Sequence, residues 1–325
     1  MAVISVKNLA KTYQVFKKEP GLVGTFKSLI HRKYDKIKAV DNISFDVREG
    51  ELVGFIGPNG AGKTTTLKCL SGLLHPNSGQ ISVLDEIPWQ RKSAFLKQIS
   101  FIMGAKNQLW WDLPPMETFL LNKEIYEIDD RQFKRTLSDL VDLLKVKDII
   151  KVQVKRLSLG QRMKCELIAA LLHSPRVLFL DEPTIGLDVV MQNNLREFIK
   201  NYNERYQSTI ILTSHYMRDV QALCRRVIVI SDGKIIFDGQ LATLIKKHAP
   251  YKEISVVLKD NVPKEKLEQL GDIVEFEYPK VVIRTSSKNS QKVAQDLLSN
   301  FSIEDLNIEE ADIEEVIREF FRRRQ

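Results

Sequence analysis

The apolar run Leu52–Ile56 ends in Gly57-Pro58-Asn59-Gly60-Ala61-Gly62-Lys63-Thr64, and a helical pattern opens at Lys63. No other stretch restricts the fold so strongly. The spacing is GxxxxGK[ST], a phosphate loop when a strand delivers it and a helix leaves it. A short apolar run that ends in glycine has the composition of a buried parallel strand. The glycines let the backbone curl so that its N–H groups point at phosphate oxygens, and the helix start adds the positive end of its dipole. Lys63 is placed to reach the β and γ phosphates and Thr64 to bind Mg²⁺, with Asn59, Gly60, Ala61, Gly62 and Thr65 completing the loop.

The remaining pattern fits such a loop. Val177–Leu180, Thr209–Thr213 and Val227–Ile230 read as further buried strands, and Val3–Val6 and Ala39–Val47 as outer ones. Lys63–Leu74, Arg131–Ile150 and Ser158–His173 have helical spacing. Strands alternating with helices predict an α/β fold with a mostly parallel sheet. After Ile245 the order becomes strand Glu253–Lys259, helix Lys264–Leu270, strands Ile273–Tyr278 and Val281–Thr285, helix Ser290–Leu298, strand Ile303–Ile308 and helix Asp312–Arg323. That βαββαβ order predicts a small ferredoxin-like α+β domain with an added terminal helix. Pro250 marks the boundary, giving domains over 1–245 and 250–325.

Composition narrows the setting. No stretch approaches the roughly 20 apolar residues of a spanning helix, and the N-terminus has no apolar signal core, so the chain is expected to stay in the cytosol. Cys69, Cys165 and Cys224 are scattered and read as packed, reduced thiols. The net charge of +7 is uneven: residues 251–325 carry −4 and residues 1–250 carry +11. Gln14–Lys38 reads as a basic insertion with seven positive and two negative charges. Within it, Gly21–Tyr34 places Leu22, Phe26, Leu29 and Ile30 at near-helical spacing, flanked by Lys27, Arg32 and Lys33. Such a segment either meets an anionic surface or is a solvated face.

Val177-Leu178-Phe179-Leu180-Asp181-Glu182 is an apolar strand that delivers two acids. Asp181 supplies a second contact to Mg²⁺, and Glu182 is placed as general base for the attacking water. Leu157-Ser158-Leu159-Gly160-Gln161 resembles the LSGGQ signature of ABC transporter ATPases, with Leu159 at the first glycine position. The resemblance implies that Ser158, Gly160 and Gln161 of one subunit close on the γ-phosphate held by another. It implies that Asp188, in Ile185-Gly186-Leu187-Asp188, links the two subunits. It implies that His215, in Thr213-Ser214-His215, contacts the γ-phosphate and that Tyr13 stacks on adenine.

One departure stands out. Where the family carries a Mg²⁺-binding glutamine, the spacing places Ala105, and the nearest glutamine is Gln108. Either Gln108 serves as metal ligand and catalytic sensor, or the contact is missing. Asn107–Pro114, the Gly21–Tyr34 segment and Ile313–Ile317 resemble the ATPases paired with ABC-2-type exporter permeases. Trp110 and Trp111 are either core or anchors for a permease helix.

The resemblance therefore implies a P-loop ABC ATPase domain with a helical subdomain over about 105–172, and a C-terminal domain that regulates or dimerises. It implies an ATP-hydrolysing subunit, with ATP and Mg²⁺ as cofactors, that drives a separate multi-span permease, in the direction of export. The partner ATPase is a second copy or close paralogue, and the location is the cytoplasmic face of the membrane. The competing reading is a soluble ABC ATPase acting on nucleic acid or ribosomes, kept open by the basic first part; on the leading reading no nucleic acid is bound.

Overall fold

The apolar runs become adjacent strands of one sheet in the computed structural model, which describes residues 2–16, 34–104, 108–310 and 313–322. The chain divides into two units, Met1–Gly239 and Gln240–Gln325, a division that falls ahead of Pro250. In the first unit β3 (Leu52–Ile56), β5 (Ile99–Met103), β6 (Val177–Asp181), β7 (Thr209–Thr213), β8 (Arg226–Ser231) and β9 (Lys234–Gln240) form a six-stranded sheet of order β5-β6-β7-β3-β8-β9. The pairs from β5 through β8 are parallel. Every residue of β6 and β7 is buried, as expected of strands covered on both faces.

A second, antiparallel sheet joins β1 (Ala2–Phe16), β2 (Tyr34–Arg48) and β4 (Ser78–Val83) in the order β2-β1-β4. Its inward residues, among them Ile4, Leu9, Ile43 and Val83, share one core with Phe55, Leu67 and Phe179. Phe45 and Phe55 bring the two sheets together, ring centroids 5.6 Å apart. β1 and β2 are much longer than Val3–Val6 and Ala39–Val47, because they pair out to Phe16↔Tyr34. The flanks of the Gln14–Lys38 insertion are thus strand, and Tyr34 belongs to β2 rather than to a helix. Residues 17–33, including the Leu22, Phe26, Leu29 and Ile30 stripe, lie outside the described residues.

The first unit's helices are α1 (Lys63–Leu70), α2 (Ser93–Leu96), α3 (Pro115–Ile125), α4 (Asp130–Leu144), α5 (Leu159–Leu171), α6 (Val189–Tyr206) and α7 (Met217–Leu223). α1 stops short of Leu74, with Gly72 at φ 73° just beyond its C-cap. α4 stops short of Ile150, where Lys145 takes a left-handed conformation and caps the helix through its N–H. All three cysteines are buried free thiols. Burial pushes Cys69 up to about 11 and Cys165 to about 12, so both stay protonated and inert.

In the second unit, after α8 (Leu241–His248), β10 (Tyr251–Leu258), β11 (Asp272–Glu277), β12 (Lys280–Ser286) and β13 (Ile303–Glu310) form an antiparallel sheet of order β11-β12-β10-β13. With α9 (Lys264–Glu268) and α10 (Ser290–Asn300) between strands, this is the ferredoxin-like connectivity expected from βαββαβ. Ile254, Val256, Leu258, Val281 and Ile283 pack on Leu267, Val293 and Leu297. The last helix, α11 (Ile313–Arg322), buries Val316 beside Ala249 and Tyr251.

Candidate active site

The phosphate loop leaves β3 and enters α1 through Gly62, whose φ is 108°. A Cβ there would lie 2.3 Å from the Ala39 carbonyl oxygen, so both conformation and space demand glycine. The turn aims Lys63 inward, where it is 5% exposed. Its ammonium donates to the carbonyls of Gly57 at 2.7 Å and Pro58 at 3.1 Å. Burial lowers the Lys63 pKa, and the nearby carboxylates of Glu182 and Asp181 oppose that shift.

Parallel register does the rest. Asp181, the last residue of β6, pairs with Met103 on one side and Thr213 on the other. Its buried carboxylate accepts from the Thr64 hydroxyl at 2.8 Å and from the Thr213 hydroxyl at 2.7 Å. Glu182 leaves the strand with φ 52°, a left-handed conformation that costs about 1–3 kcal/mol for a residue with a side chain. Its N–H donates to the Thr213 carbonyl at 3.1 Å. Its carboxylate lies 3.0 Å from Nδ1 of His215, which follows β7. Gly104, which follows β5, packs so closely that a Cβ would lie 2.1 Å from the Glu182 carbonyl oxygen.

The signature residues gather elsewhere. Ser158 caps α5 in a capping box: its hydroxyl accepts from the Gln161 N–H at 3.2 Å, and Gln161 Oε1 accepts from the Ser158 N–H at 2.9 Å. Gly160 lies against Met191, and Asp188 caps α6 by accepting from the Met191 N–H at 2.8 Å. Among the described residues no hydrogen bond joins Ser158, Gly160, Gln161 or Asp188 to the phosphate loop. Within the chain, then, the signature residues and the phosphate loop are two separate groups.

Tyr13 stands exposed on β1, with the Lys11 ammonium 5.8 Å from its ring. Asn59 and Gly60 are exposed at the tip of the loop, Ala61 is buried and Thr65 is half-buried. Ala105 lies outside the described residues. Gln108 is not hydrogen-bonded to Thr64, Asp181 or Glu182; its amide donates to the Phe101 carbonyl at 3.2 Å. It lines a cleft of about 700 Å³ together with Arg91, Lys97, Phe101, Met103 and Tyr126. Trp110 and Trp111 are more than half exposed, which removes the core reading for them. Thr213 was not singled out from the sequence as a site residue, because its link to Asp181 comes from strand register and leaves no local motif.

No group of three or more His, Cys, Asp or Glu suited to a metal occurs among the described residues. Thr64 and Asp181 nonetheless place a hydroxyl and a carboxylate together, a set that fits Mg²⁺ when substrate phosphates supply further oxygens.

Residues 40–185 match the family model described as ABC transporter, and residues 250–309 the model described as EvrA-like ABC transporter, C-terminal domain. The ABC transporter ATP-binding protein NatA of Bacillus subtilis is 37% identical over 209 residues, covering 64% of this chain and 84% of that protein. The bacitracin transport ATP-binding protein BcrA of Bacillus licheniformis is 31% identical over 246 residues, covering 76% and 79%. A dimeric post-hydrolysis ATP-binding cassette solved with ADP and Pi superposes with a TM-score of 0.59 at 21% identity, covering 73% of this chain and 98% of that one. At that identity the likeness concerns the fold.

Proposed function

The chain belongs to the ABC transporter ATP-binding family, and from that premise we propose that it powers export through a separate ABC-2-type permease, paired with a second cassette. Cassettes of this family are ATPases, and one observation carries the site assignment. Thr64, Asp181, Thr213, Glu182 and His215 form a connected hydrogen-bond chain across the ends of α1, β6 and β7.

On this reading Lys63 leaves its carbonyl partners to meet the β and γ phosphates, and the loop N–H groups cradle them. Thr64 and Asp181 would hold Mg²⁺, which when bound neutralises charge on the phosphates. Glu182 takes the proton of the attacking water, while His215 holds that carboxylate and meets the γ-phosphate. Ser158, Gly160, Gln161 and Asp188 act on the nucleotide of the other cassette, which explains their separation from the phosphate loop within one chain. The dimeric cassette solved with ADP and Pi supports this pairing.

For the permease we assign the cleft beside Gln108. Its wall offers Leu73, Leu96, Phe101, Met103 and Ile125 to an apolar helix face, and Trp110 and Trp111 stand exposed nearby in sequence. The relative of Burkholderia thailandensis named for Nod factor export, 32% identical over 246 residues, supports the direction of transport. No helix among the described residues is long and apolar enough to cross a membrane, so on this reading the cassette meets the permease from the cytoplasmic face. A soluble role on nucleic acid or ribosomes is not favoured.

Glu182→Gln should still bind ATP and form an ATP-dependent dimer by size exclusion, while turnover falls by about 10²–10⁴-fold. Near-normal phosphate release would overturn the general-base assignment. Pull-down of the intact chain from detergent-solubilised membranes should bring a multi-span protein with it; ribosomes or DNA instead would overturn the transport reading.

A further inference from the structure

We propose that Asp219 is a positioning residue for hydrolysis, a buried carboxylate that locks the loop carrying Glu182 to the loop carrying His215. The proposal rests on the assignment of those two residues above.

Asp219 lies in the first turn of α7 and is completely buried. Its Oδ2 accepts two hydroxyl hydrogen bonds, from Thr184 at 2.5 Å and from Ser214 at 2.9 Å. Its Oδ1 accepts from Nε of Arg196 on α6 at 2.6 Å. Arg196 is itself held by the side-chain oxygens of Asn193 and Gln192. Thr184 is two residues beyond Glu182, and Ser214 is the residue before His215. Both donors are as buried as the carboxylate they serve. One oxygen therefore joins the exit of β6 to the exit of β7, and the other joins both to α6.

The arrangement supplies what the hydrolytic pair lacks. Glu182 holds a left-handed backbone conformation that persists only where its surroundings impose it. On the strand side, the Thr213 carbonyl and hydroxyl impose it. On the loop side, the Thr184 hydroxyl bond to Asp219 does so. The 3.0 Å approach of His215 to Glu182 needs both loops held at once, and Asp219 touches both, beyond the strand-end link through Thr213. A buried ion pair is a poor way to gain stability, since well-packed apolar residues often do as well. Its use here, with hydroxyl donors drawn from two catalytic loops, is explained by geometry. Among the described residues, Asp219 makes no hydrogen bond to Lys63 or Thr64, so nucleotide affinity is not its task.

The test is steady-state ATPase of the full chain, with ATP affinity measured separately by fluorescence titration. Asp219→Asn keeps the size of the side chain and removes its charge. It should lower kcat on the order of 10-fold or more, as expected for a displaced catalytic group, with ATP affinity unchanged. Thr184→Val, nearly isosteric, removes one donor and should show a smaller loss with the same split. In a His215→Ala background, where the pair is already broken, Asp219→Asn should cost much less than it does alone. The proposal is overturned if kcat and affinity fall together in proportion to the folded fraction, if the two losses simply multiply, or if kcat is unchanged. Should Asp219→Asn not fold, Thr184→Val decides by the same criteria. Glu182→Gln separates the layers: if it turns over normally, the base assignment fails. If it is inactive while Asp219→Asn and Thr184→Val are normal, only the positioning role fails.

Discussion

Carboxylates do different work in the two units. In the first, Asp181 and Asp219 are buried, and each is met by hydroxyl or guanidinium donors. In the second, Glu304, Asp305, Glu309 and Glu310 stand exposed along β13. A buried carboxylate must be matched donor by donor, so its position records the geometry of several elements at once. A solvated one is satisfied by water. Surface pairs such as Lys280–Glu275 at 3.0 Å contribute only about 0–1 kcal/mol. The net −4 of residues 251–325 therefore speaks to solubility and to partners, whereas the two buried acids of the first unit tie the ends of β6 and β7 to their neighbours.

The contrast breaks most readily in the cores. Phe179 and Ile283 are both completely buried, one in each unit. Phe179→Ala should cost about 3–5 kcal/mol and Ile283→Ala about 2–5 kcal/mol. ATP should raise the melting temperature of the cassette, and only Phe179→Ala should lower that ATP-sensitive transition. If Ile283→Ala lowers it equally, the two units melt as one and the comparison is lost.

A smaller effect tests the close packing of Gly104 behind Glu182. Gly104→Ala forces the Glu182 carbonyl aside, and displacement of about 1 Å costs on the order of 10²-fold in rate. Phosphate release should fall while ATP still binds; unchanged turnover would show that the Glu182 backbone can yield without consequence.

The smallest effect concerns a buried acid in the first unit that is poorly matched. Among the described residues Glu166 on α5 has as partners the Gln108 N–H at 3.4 Å and Arg162 at 3.5 Å, and burial pushes its pKa up to about 7. The folded chain then holds a proton that the unfolded chain releases near pH 4–5, so stability falls as pH rises through that interval toward 7. Glu166→Gln should raise the melting temperature at pH 8, and the gain should shrink as pH falls through 7. A gain that is the same at pH 5 and pH 8 would mean that Glu166 is already ionised across that range.

How much of this was legible follows from burial as well. β3, β6, β7 and β8 announce themselves as apolar runs because both of their faces are covered. β4 and β9 do not, since Ser-Gly-Gln-Ile-Ser-Val buries only Ile81 and Val83, and Lys-Ile-Ile-Phe-Asp-Gly-Gln mixes exposed and half-buried positions. α3 hides behind Pro114 and Pro115 and exposes Leu120 and Leu121, so its apolar stripe is blurred. The phosphate loop and the apolar strand ending in Asp181 and Glu182 are legible because each is a local motif, while His215 enters only through the family resemblance. Asp219 is not legible: its donors lie five, 23 and 35 residues away and form no motif. The amide of Gln108 rests on the Phe101 carbonyl, a placement its position in the chain does not reveal.

Lys63 rests on two carbonyls of its own loop, and Ser158 and Gln161 occupy each other. An ammonium left naked at this depth would seize any phosphate and hold it, ADP included. Because its own loop offers Lys63 partners, a nucleotide that binds there exchanges one set of bonds for another, and one that departs leaves no ammonium stranded. On the proposed pairing, the same holds for the signature when two cassettes part. Grip and release at Lys63 are thus exchanges of bonds rather than gains and losses of them.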